Sequence, residues 1–272
     1  MSLPEFLFKR FLRIFIQIKD RHSEANTYHQ LGILAQTQSI SKDDSYFKDA
    51  LDSYEKAIHI FSELSDLYRL ALTLSQEGTL YQNAEIYENA GLNFDKALHI
   101  FTLIGAKSDQ AKIYRQLGVI EQSQQRMKSA RNYYQKALKY FVELEDRYSQ
   151  SFVYHQIGIL SEDMDEPEEA QDNYQKALEI FTEFNDLHSQ ATTYCALGNV
   201  AMSRKNWSES QANHLKALKI WIDFSDEYRV KTYSLSNIQR LYQQTQDETL
   251  LIAAANLLGT TPDDLRQIFT TQ

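Results

Sequence analysis

Residues 174–180 read YQKALEI, and the tripeptide Lys-Ala-Leu inside this stretch recurs along the chain, with Ile in place of Leu in the first copy. The five copies begin 40 residues apart, at Lys56, Lys96, Lys136, Lys176 and Lys216. A glycine precedes each copy, and these glycines are also 40 residues apart except for a first interval of 46: Gly32, Gly78, Gly118, Gly158 and Gly198. A fixed period of roughly 20 to 50 residues is typical of a repeat protein whose units bury their apolar faces against one another.

Each unit divides into two helical segments. In the fourth unit, Tyr154 and Ile157 share one face of a first helix, and Pro167 marks the start of a second helix after a polar turn. Small residues such as Gly158 and Ala177 are expected where the two helix backbones come close. A bulky replacement there would overpack the joint at a cost of roughly 1 to 3 kcal/mol.

This pattern resembles the tetratricopeptide repeat, whose signature is an aromatic residue, a Leu-Gly pair, another aromatic residue, and then Ala, Phe or Tyr, and Ala. The third unit matches at Tyr114, Leu117, Gly118, Ala130, Tyr134 and Ala137, and the fifth at Tyr194, Leu197, Gly198 and Ala217. The resemblance implies an all-α fold, a right-handed superhelix (α-solenoid) of antiparallel helix pairs. The period exceeds the roughly 34 residues of the usual repeat. In this respect the chain is similar to the longer-period repeats of spindle-orientation adaptors and of the sensor arms of bacterial regulators.

The register predicts three segments. Residues 1–22 align with a second helix that lacks its first, residues 23–229 hold five full units, and residues 230–272 hold a degenerate repeat and a capping helix. The six additional residues of the first unit fall near 39–45, where a polar insertion in the inter-helix turn is the simplest explanation. The half repeat fits either a fragment of a longer protein or a one-helix cap. Aspartates are expected to cap the first helix of the following unit at Asp66, Asp146, Asp186 and Asp226.

Composition narrows the class of protein. The 272 residues are 43% apolar and carry a formal net charge of -9 at pH 7, which suits a well-packed chain. The acidic balance argues against nucleic-acid and anionic-membrane partners, because both are bound mainly through Lys and Arg. Lys9, Arg10 and Arg13 interrupt the apolar N-terminus and exclude a secretory core or a spanning helix there. With Cys195 as the single cysteine, we expect a reducing, cytoplasmic setting.

The resemblance also implies where a partner would bind. When each unit is numbered so that its glycine is position 8, positions 2, 5, 9 and 12 cluster on the side of the first helix opposite the second helix. In the family, this side lines a concave groove that binds peptides. The candidate partner-binding residues carried over by position are Ile33, Gln36, Thr79, Gln82, Lys112, Arg115, Val119, Gln122, Phe152, His155, Ile159, Glu162 and Asn199.

Two features of this groove leave alternatives open. Exposed aliphatic side chains such as Ile33 and Ile159 favour an amphipathic helix or a self-contact over an extended peptide, unless they pack on neighbouring first helices. At position 9, only Asn199 keeps the asparagine with which many peptide-binding relatives hold the ligand backbone. Lys112 and Arg115 would either anchor a partner's carboxylate or pair with Glu162 or Asp163 of the next unit.

Signatures of catalysis and of cofactor binding are missing from the sequence. The seven histidines include no i, i+4 pair, and there is no phosphate-binding glycine loop and no nucleophile elbow. The acidic turn between Glu162 and Glu169 lacks the central glycine and the spacing of a calcium loop, and its acids suit a helix N-terminus. We therefore expect no catalytic residue, no metal site and no cofactor.

These patterns predict a non-catalytic scaffold for protein–protein interaction, which binds a peptide or an amphipathic helix of a partner in its concave groove. Neither nucleic acid nor a membrane is an expected partner, and self-association is a further option. The alternative function is a sensor or regulatory arm of a larger signalling protein, such as a nucleotide-dependent switch. The sequence does not name the partner.

Overall fold

The protein is an all-helical repeat structure, as the sequence predicts. A computed structural model describes residues 3–39 and 44–271, and the regular elements in these two ranges are all helices. The second helices of the repeats are α1 (Leu3–Gln17), α3 (Ser45–Glu63), α5 (Tyr87–Leu103), α7 (Met127–Glu143), α9 (Pro167–Glu183) and α11 (Trp207–Asp223). The first helices are α2 (Arg21–Gln36), α4 (Leu67–Asn83), α6 (Lys107–Ser123), α8 (Arg147–Asp163) and α10 (Leu187–Ser203).

The chain forms two compact units, Met1–Tyr140 and Phe141–Gln272, with the boundary inside α7. In the first unit, α2 pairs with α3 and α4 with α5, and α1 packs on α2. In the second unit, α8 pairs with α9 and α10 with α11, and α9 also packs on α10. Each unit is therefore a stack of helix pairs in which neighbouring pairs share a core.

The turn inside the first helix pair is longer than the others. α2 ends at Gln36 and α3 begins at Ser45, whereas three residues separate the two helices of each later pair. The predicted insertion near 39–45 falls in this turn and stays a prediction, because residues 40–43 lie outside the described residues.

The turns from a second helix to the next first helix share one backbone conformation, although Ala106 after α5 makes no side-chain cap. The middle residue of each turn is left-handed, with φ between 53° and 71° at residues 65, 105, 145, 185 and 225. The expected aspartate caps are confirmed: Asp66 Oδ1 accepts a hydrogen bond from the Arg69 backbone N–H at 3.1 Å. The same contact follows three other second helices, at Asp146, Asp186 and Asp226. A side-chain cap satisfies a backbone N–H that the helix itself leaves without a partner.

The repeated glycine faces an aromatic ring of the second helix, so the expected close approach of two backbones is the wrong explanation for it. A Cβ atom on Gly118 would lie 2.5 Å from Cε1 of Tyr134, and one on Gly158 would lie 2.6 Å from Cε1 of Tyr174. Both tyrosines are fully buried. The same packing recurs in the other three units, with Gly32 on Tyr54, Gly78 on Phe94 and Gly198 on His214.

The C-terminal end closes the second unit with shorter helices. α12 (Glu227–Arg229) passes into a π-helical segment, Val230–Leu235, and α13 (Ser236–Thr245), α14 (Glu248–Leu258) and α15 (Pro262–Thr271) follow. Gly259 ends α14 with a φ of 67°, and the Thr261 hydroxyl accepts a hydrogen bond from the Asp264 N–H at 3.1 Å, as an N-cap of α15. Leu218 and Leu251 belong to the buried core that these helices enclose.

Candidate functional site

The candidate residues lie on the first helices, and we call the side that carries them the first-helix face. The expected position of this face opposite the second helix is wrong for position 12, because Gln122 and Glu162 contact tyrosines of their own second helices. In the first unit the face is formed by α2, α4 and α6, and in the second unit by α8 and α10. Lys112 and Glu162 are exposed, whereas the other candidate residues are half-buried. Ile33 and Ile159 pack against the cores of their own units. The expectation of exposed aliphatic side chains is therefore wrong, and packing on neighbouring helices is what the structure shows.

Three candidates at position 12 are acceptors for a buried tyrosine. The Tyr134 hydroxyl donates to Gln122 Oε1 at 2.8 Å, and the Tyr174 hydroxyl donates to Glu162 Oε2. Tyr54 makes the same bond to Gln36. The ring of each of these tyrosines also packs on the glycine of its unit. Contact with the glycine therefore holds the ring, and the hydrogen bond holds the hydroxyl. These side chains stabilise a helix pair, a role that the sequence analysis missed.

Two units lack this bond. Phe94 replaces the tyrosine in the second repeat, and Gln82 Oε1 is enclosed there without a hydrogen-bond partner among the described residues. In the fifth repeat, His214 replaces the tyrosine and Met202 replaces the acceptor, and neither ring nitrogen of His214 has a described partner. Burial lowers the pKa of His214 to about 4, so the ring is neutral near pH 7.

Histidines at position 5 link neighbouring first helices. His29 Nδ1 lies 3.0 Å from Thr73 Oγ1, which connects α2 to α4. His155 Nδ1 lies 3.2 Å from Thr193 Oγ1, which connects α8 to α10. Burial lowers the pKa of both rings, to about 4 for His155, so they act here as neutral hydrogen-bonding groups. Cys195 occupies the same position, and burial raises the pKa of its thiol to about 11.

The two basic candidates differ in their surroundings. Lys112 Nζ pairs with Asp109 Oδ1 at 3.1 Å within α6. Arg115 is half-buried, and burial lowers its pKa. Pairing of Lys112 with Glu162 was one of the sequence-based alternatives, but the ionic partner of Lys112 is its own neighbour, and Glu162 accepts from Tyr174. Although Glu162 as a whole residue is exposed, partial desolvation of its carboxyl group raises its pKa, and the bond from Tyr174 opposes this effect.

Asn199, like Gln82, is a candidate whose amide oxygen lacks a hydrogen-bond partner among the described residues. Its Oδ1 atom is enclosed on the first-helix face and accepts no hydrogen bond from the described residues. An enclosed carbonyl oxygen without a donor costs roughly 1 to 3 kcal/mol. Asn199 Oδ1 is therefore an unsatisfied acceptor in the described structure.

The described residues contain neither a cluster of metal ligands nor a membrane-spanning helix. Within residues 3–39 and 44–271, no three His, Cys, Asp or Glu side chains come together as a metal site. In the same ranges, no helix has both the length and the apolar content that crossing a membrane requires.

Comparison with known proteins agrees with the geometry of the helix pairs. A model of the tetratricopeptide repeat matches residues 109–183. This segment belongs to the tetratricopeptide-repeat family. The tetratricopeptide-type helix pair, with its glycine facing a ring, continues on both sides of that segment. No curated protein sequence matches the chain.

Several solved structures share this tetratricopeptide-type fold. BtubC (BKLC) from P. vanneervenii is 21% identical over 81% of this chain and 91% of its own, with a TM-score of 0.71. The apo form of RapI is 19% identical over 87% of this chain and 83% of its own, with a TM-score of 0.70. A Rap protein complexed with Competence and Sporulation Factor is 17% identical over 92% of this chain and 70% of its own, with a TM-score of 0.65. At these identities the likeness concerns the fold alone.

Proposed function

We propose that this chain is a non-catalytic scaffold that binds a peptide or helix of a protein partner on its first-helix face. The observation that carries this proposal is the enclosed, unpartnered Oδ1 atom of Asn199. A backbone N–H of a bound segment would complete the hydrogen bonding of this oxygen. Asn199 is also the residue at which the tetratricopeptide resemblance implies contact with a ligand backbone.

The apolar side chains of the face supply area for the same partner. Phe152 and Ile159 of the second unit are half-buried, so each retains apolar surface that a bound segment would remove from water. Val119 offers the same kind of surface within the first unit. Aliphatic surface is non-directional and suits a helix or peptide that presents apolar side chains of its own. Hydrogen bonding at Asn199 would then set the orientation of the bound segment.

The ionisable groups of this face support binding without catalysis. His29 and His155 contact threonines, and the Glu162 carboxylate accepts from Tyr174. The raised pKa of Cys195 leaves little thiolate at neutral pH. General acid–base or nucleophilic chemistry needs a side chain that both reaches the substrate and has a pKa near the working pH. None of these four residues combines the two properties.

Similar solved structures are compatible with this proposal. One of them is a Rap protein complexed with Competence and Sporulation Factor, so a chain with this fold can hold another molecule. The general property of such repeats is to present a scaffold to a partner. The partner of the present chain would be a protein or peptide with an apolar surface.

The test is affinity capture from a lysate of the source organism, followed by mass spectrometry. The baits are the wild type and the Val119→Asp/Asn199→Ala variant, which avoids Ile159 because that side chain packs on the core. The matched control is Leu92→Asp/Ile252→Asp, which alters exposed apolar residues outside the first helices. We expect a discrete protein to be captured by the wild type and the control and lost by the first variant. Equal capture by all three folded baits would refute binding at this face.

A further inference from the structure

One edge of the second unit carries an exposed apolar side chain at the same place in every repeat. Leu144, Phe184 and Phe224 each follow directly on the end of a second helix, and they are 40, 48 and 52% exposed. Leu64 and Ile104 occupy the same place in the first unit and are also exposed. We call Leu144, Phe184 and Phe224 the turn row. Exposed apolar residues that recur in one register mark a surface rather than scattered single positions.

The backbone of these turns does not require an apolar side chain. The turns inside the helix pairs have the same left-handed residue, for example Asp165 and Lys205. At the place equivalent to the turn row, the two turns inside the pairs of the second unit carry Met164 and Arg204. The cap alone therefore accepts other side chains. Met164 is apolar but half-buried, so within the second unit the large apolar residues at this place are exposed only on this edge.

Aromatic residues extend the turn row onto the adjoining first helix. Tyr148 is 38% exposed, and its ring lies 5.2 Å from that of Phe184 and 5.1 Å from that of Phe152. Its hydroxyl donates to Asp186 Oδ2 at 2.9 Å, which fixes the ring at the surface. Tyr228, which is 67% exposed, follows Phe224 at the offset by which Tyr148 follows Leu144. A partner on this edge would therefore meet a broad, largely preformed aromatic surface.

Acidic residues surround the turn row. The second unit holds 21 acidic and 10 basic residues, whereas the first holds 16 and 18. Arg147 pairs with Glu183 in this edge. By contrast, Glu145, Asp223 and Glu227 form no ion pair within the part of the chain that the structure describes. The edge therefore combines apolar side chains with negative charge that the unit itself does not neutralise.

An apolar cleft begins next to the last member of the turn row. It measures about 690 Å³, and its lining includes Ile222, Val230, Leu235 and Leu258 together with Glu227. A buried aromatic or aliphatic anchor in such a cleft is a common source of binding energy at protein interfaces. Val230 and Leu235 are the first and last residues of the π-helical segment. This type of helix is frequent at functional sites.

We propose that the turn row and its cleft bind a basic amphipathic helix of a protein partner. The apolar stripe of that helix would cover Leu144, Phe184 and Phe224, and its lysines or arginines would face the unpaired carboxylates. Negative charge on this edge disfavours a nucleic acid or an anionic lipid surface. This surface adjoins the first-helix face at Phe152, which contacts Tyr148, but Leu144, Phe184 and Phe224 lie outside that face.

The test is fluorescence anisotropy with a labelled 18-residue helical peptide that carries a leucine stripe flanked by lysines. We expect it to bind the full chain, and the Phe184→Ser/Phe224→Ser variant to weaken binding about 25-fold, because each half-exposed ring contributes roughly fivefold. The matched control, Met164→Ser/Arg204→Ser, alters the turns inside the helix pairs and should leave the dissociation constant unchanged. A second peptide with glutamates in place of the lysines should not bind.

Several results would overturn this proposal. They are absence of binding by the lysine peptide, equal binding to the folded Phe184→Ser/Phe224→Ser variant, or equal binding of the glutamate peptide. Sedimentation velocity tests a second copy as the occupant: self-association that the same variant abolishes would replace the basic helix with another copy of this chain. Val119→Asp should leave the lysine peptide bound, which separates failure of this surface from failure of the first-helix face.

Discussion

Replacement of Gly118 by Ala tests the packing of rings on glycines throughout the repeats. The new Cβ would lie 2.5 Å from Cε1 and 2.6 Å from Cδ1 of Tyr134, where ordinary contact needs at least 3.4 Å. Tyr134 is fully buried, and its hydroxyl is held by Gln122 at 2.8 Å. The ring therefore has no free space into which it can move without breaking another contact.

The size of the effect follows from two opposing contributions. Alanine favours a helix interior over glycine by about 1 kcal/mol, whereas overpacking a buried site costs typically 1 to 3 kcal/mol, at about the upper end for a ring held on two sides. We expect Gly118→Ala to lower the free energy of unfolding by about 2 kcal/mol. The matched control is Gly91→Ala in α5, where no atom lies within 4 Å of the new Cβ. That change should raise stability by about 0.5 to 1 kcal/mol.

Urea unfolding followed by circular dichroism at 222 nm measures both effects, since both glycines lie in the first unit. A Tyr134→Leu background separates the ring from the backbone as the cause. If the ring is responsible, Gly118→Ala costs at least about 1 kcal/mol less in that background. An equal cost in both backgrounds, or a Gly118→Ala protein as stable as the wild type, would refute ring packing as the reason for the glycine.

Three further predictions concern single sites in this fold. Phe94→Tyr should stabilise the chain by about 0.5 to 1.5 kcal/mol in urea unfolding, because the hydroxyl would reach the unpartnered Gln82 Oε1; a loss of stability would contradict this. Burial, and to a smaller extent the negative charge of Glu55, raise the pKa of Glu77 from 4.5 to about 7. Between these two values the folded state holds a proton that the unfolded state has released. The free energy of unfolding should therefore fall as the pH rises from 4.5 to about 7. Glu77→Gln should remove that fall and be more stable at pH 8 by about 2 kcal/mol, as parallel urea titrations across pH would show. Glu145→Gly should raise the urea midpoint by the equivalent of about 1 kcal/mol. The backbone at Glu145 is in the left-handed region, with a φ of 55°, which glycine adopts at a lower cost than glutamate.

Repeat length, helix pairs and aspartate caps could all be predicted from the sequence. These features depend on residues close together in the chain, such as the Asp66 side chain and the Arg69 backbone N–H. Local patterns of this kind have the same meaning in any fold. The glycine register likewise identified the site of helix packing, although its partner was a ring.

Contacts between helices were harder to predict. Helical geometry correctly placed Gln122 and Glu162 on the first helices, but it did not show that a tyrosine twelve residues later donates to each of them. A signal was present in the sequence of the fifth repeat, where His214 replaces the tyrosine and Met202 replaces the acceptor in the same unit. Exposure was also misjudged, since half-burial at Ile159 depends on the neighbouring core rather than on the face of its own helix.

Photocrosslinking tests the central claim, partner binding on the first-helix face, most directly. A benzophenone amino acid would replace either Val119 on that face or the exposed Leu92 on α5, and each protein would be irradiated in a lysate of the source organism. We expect position 119 to give a discrete adduct with one protein and position 92 to give none. Adducts that are the same at both positions, or that form only at position 92, would contradict binding on the first-helix face.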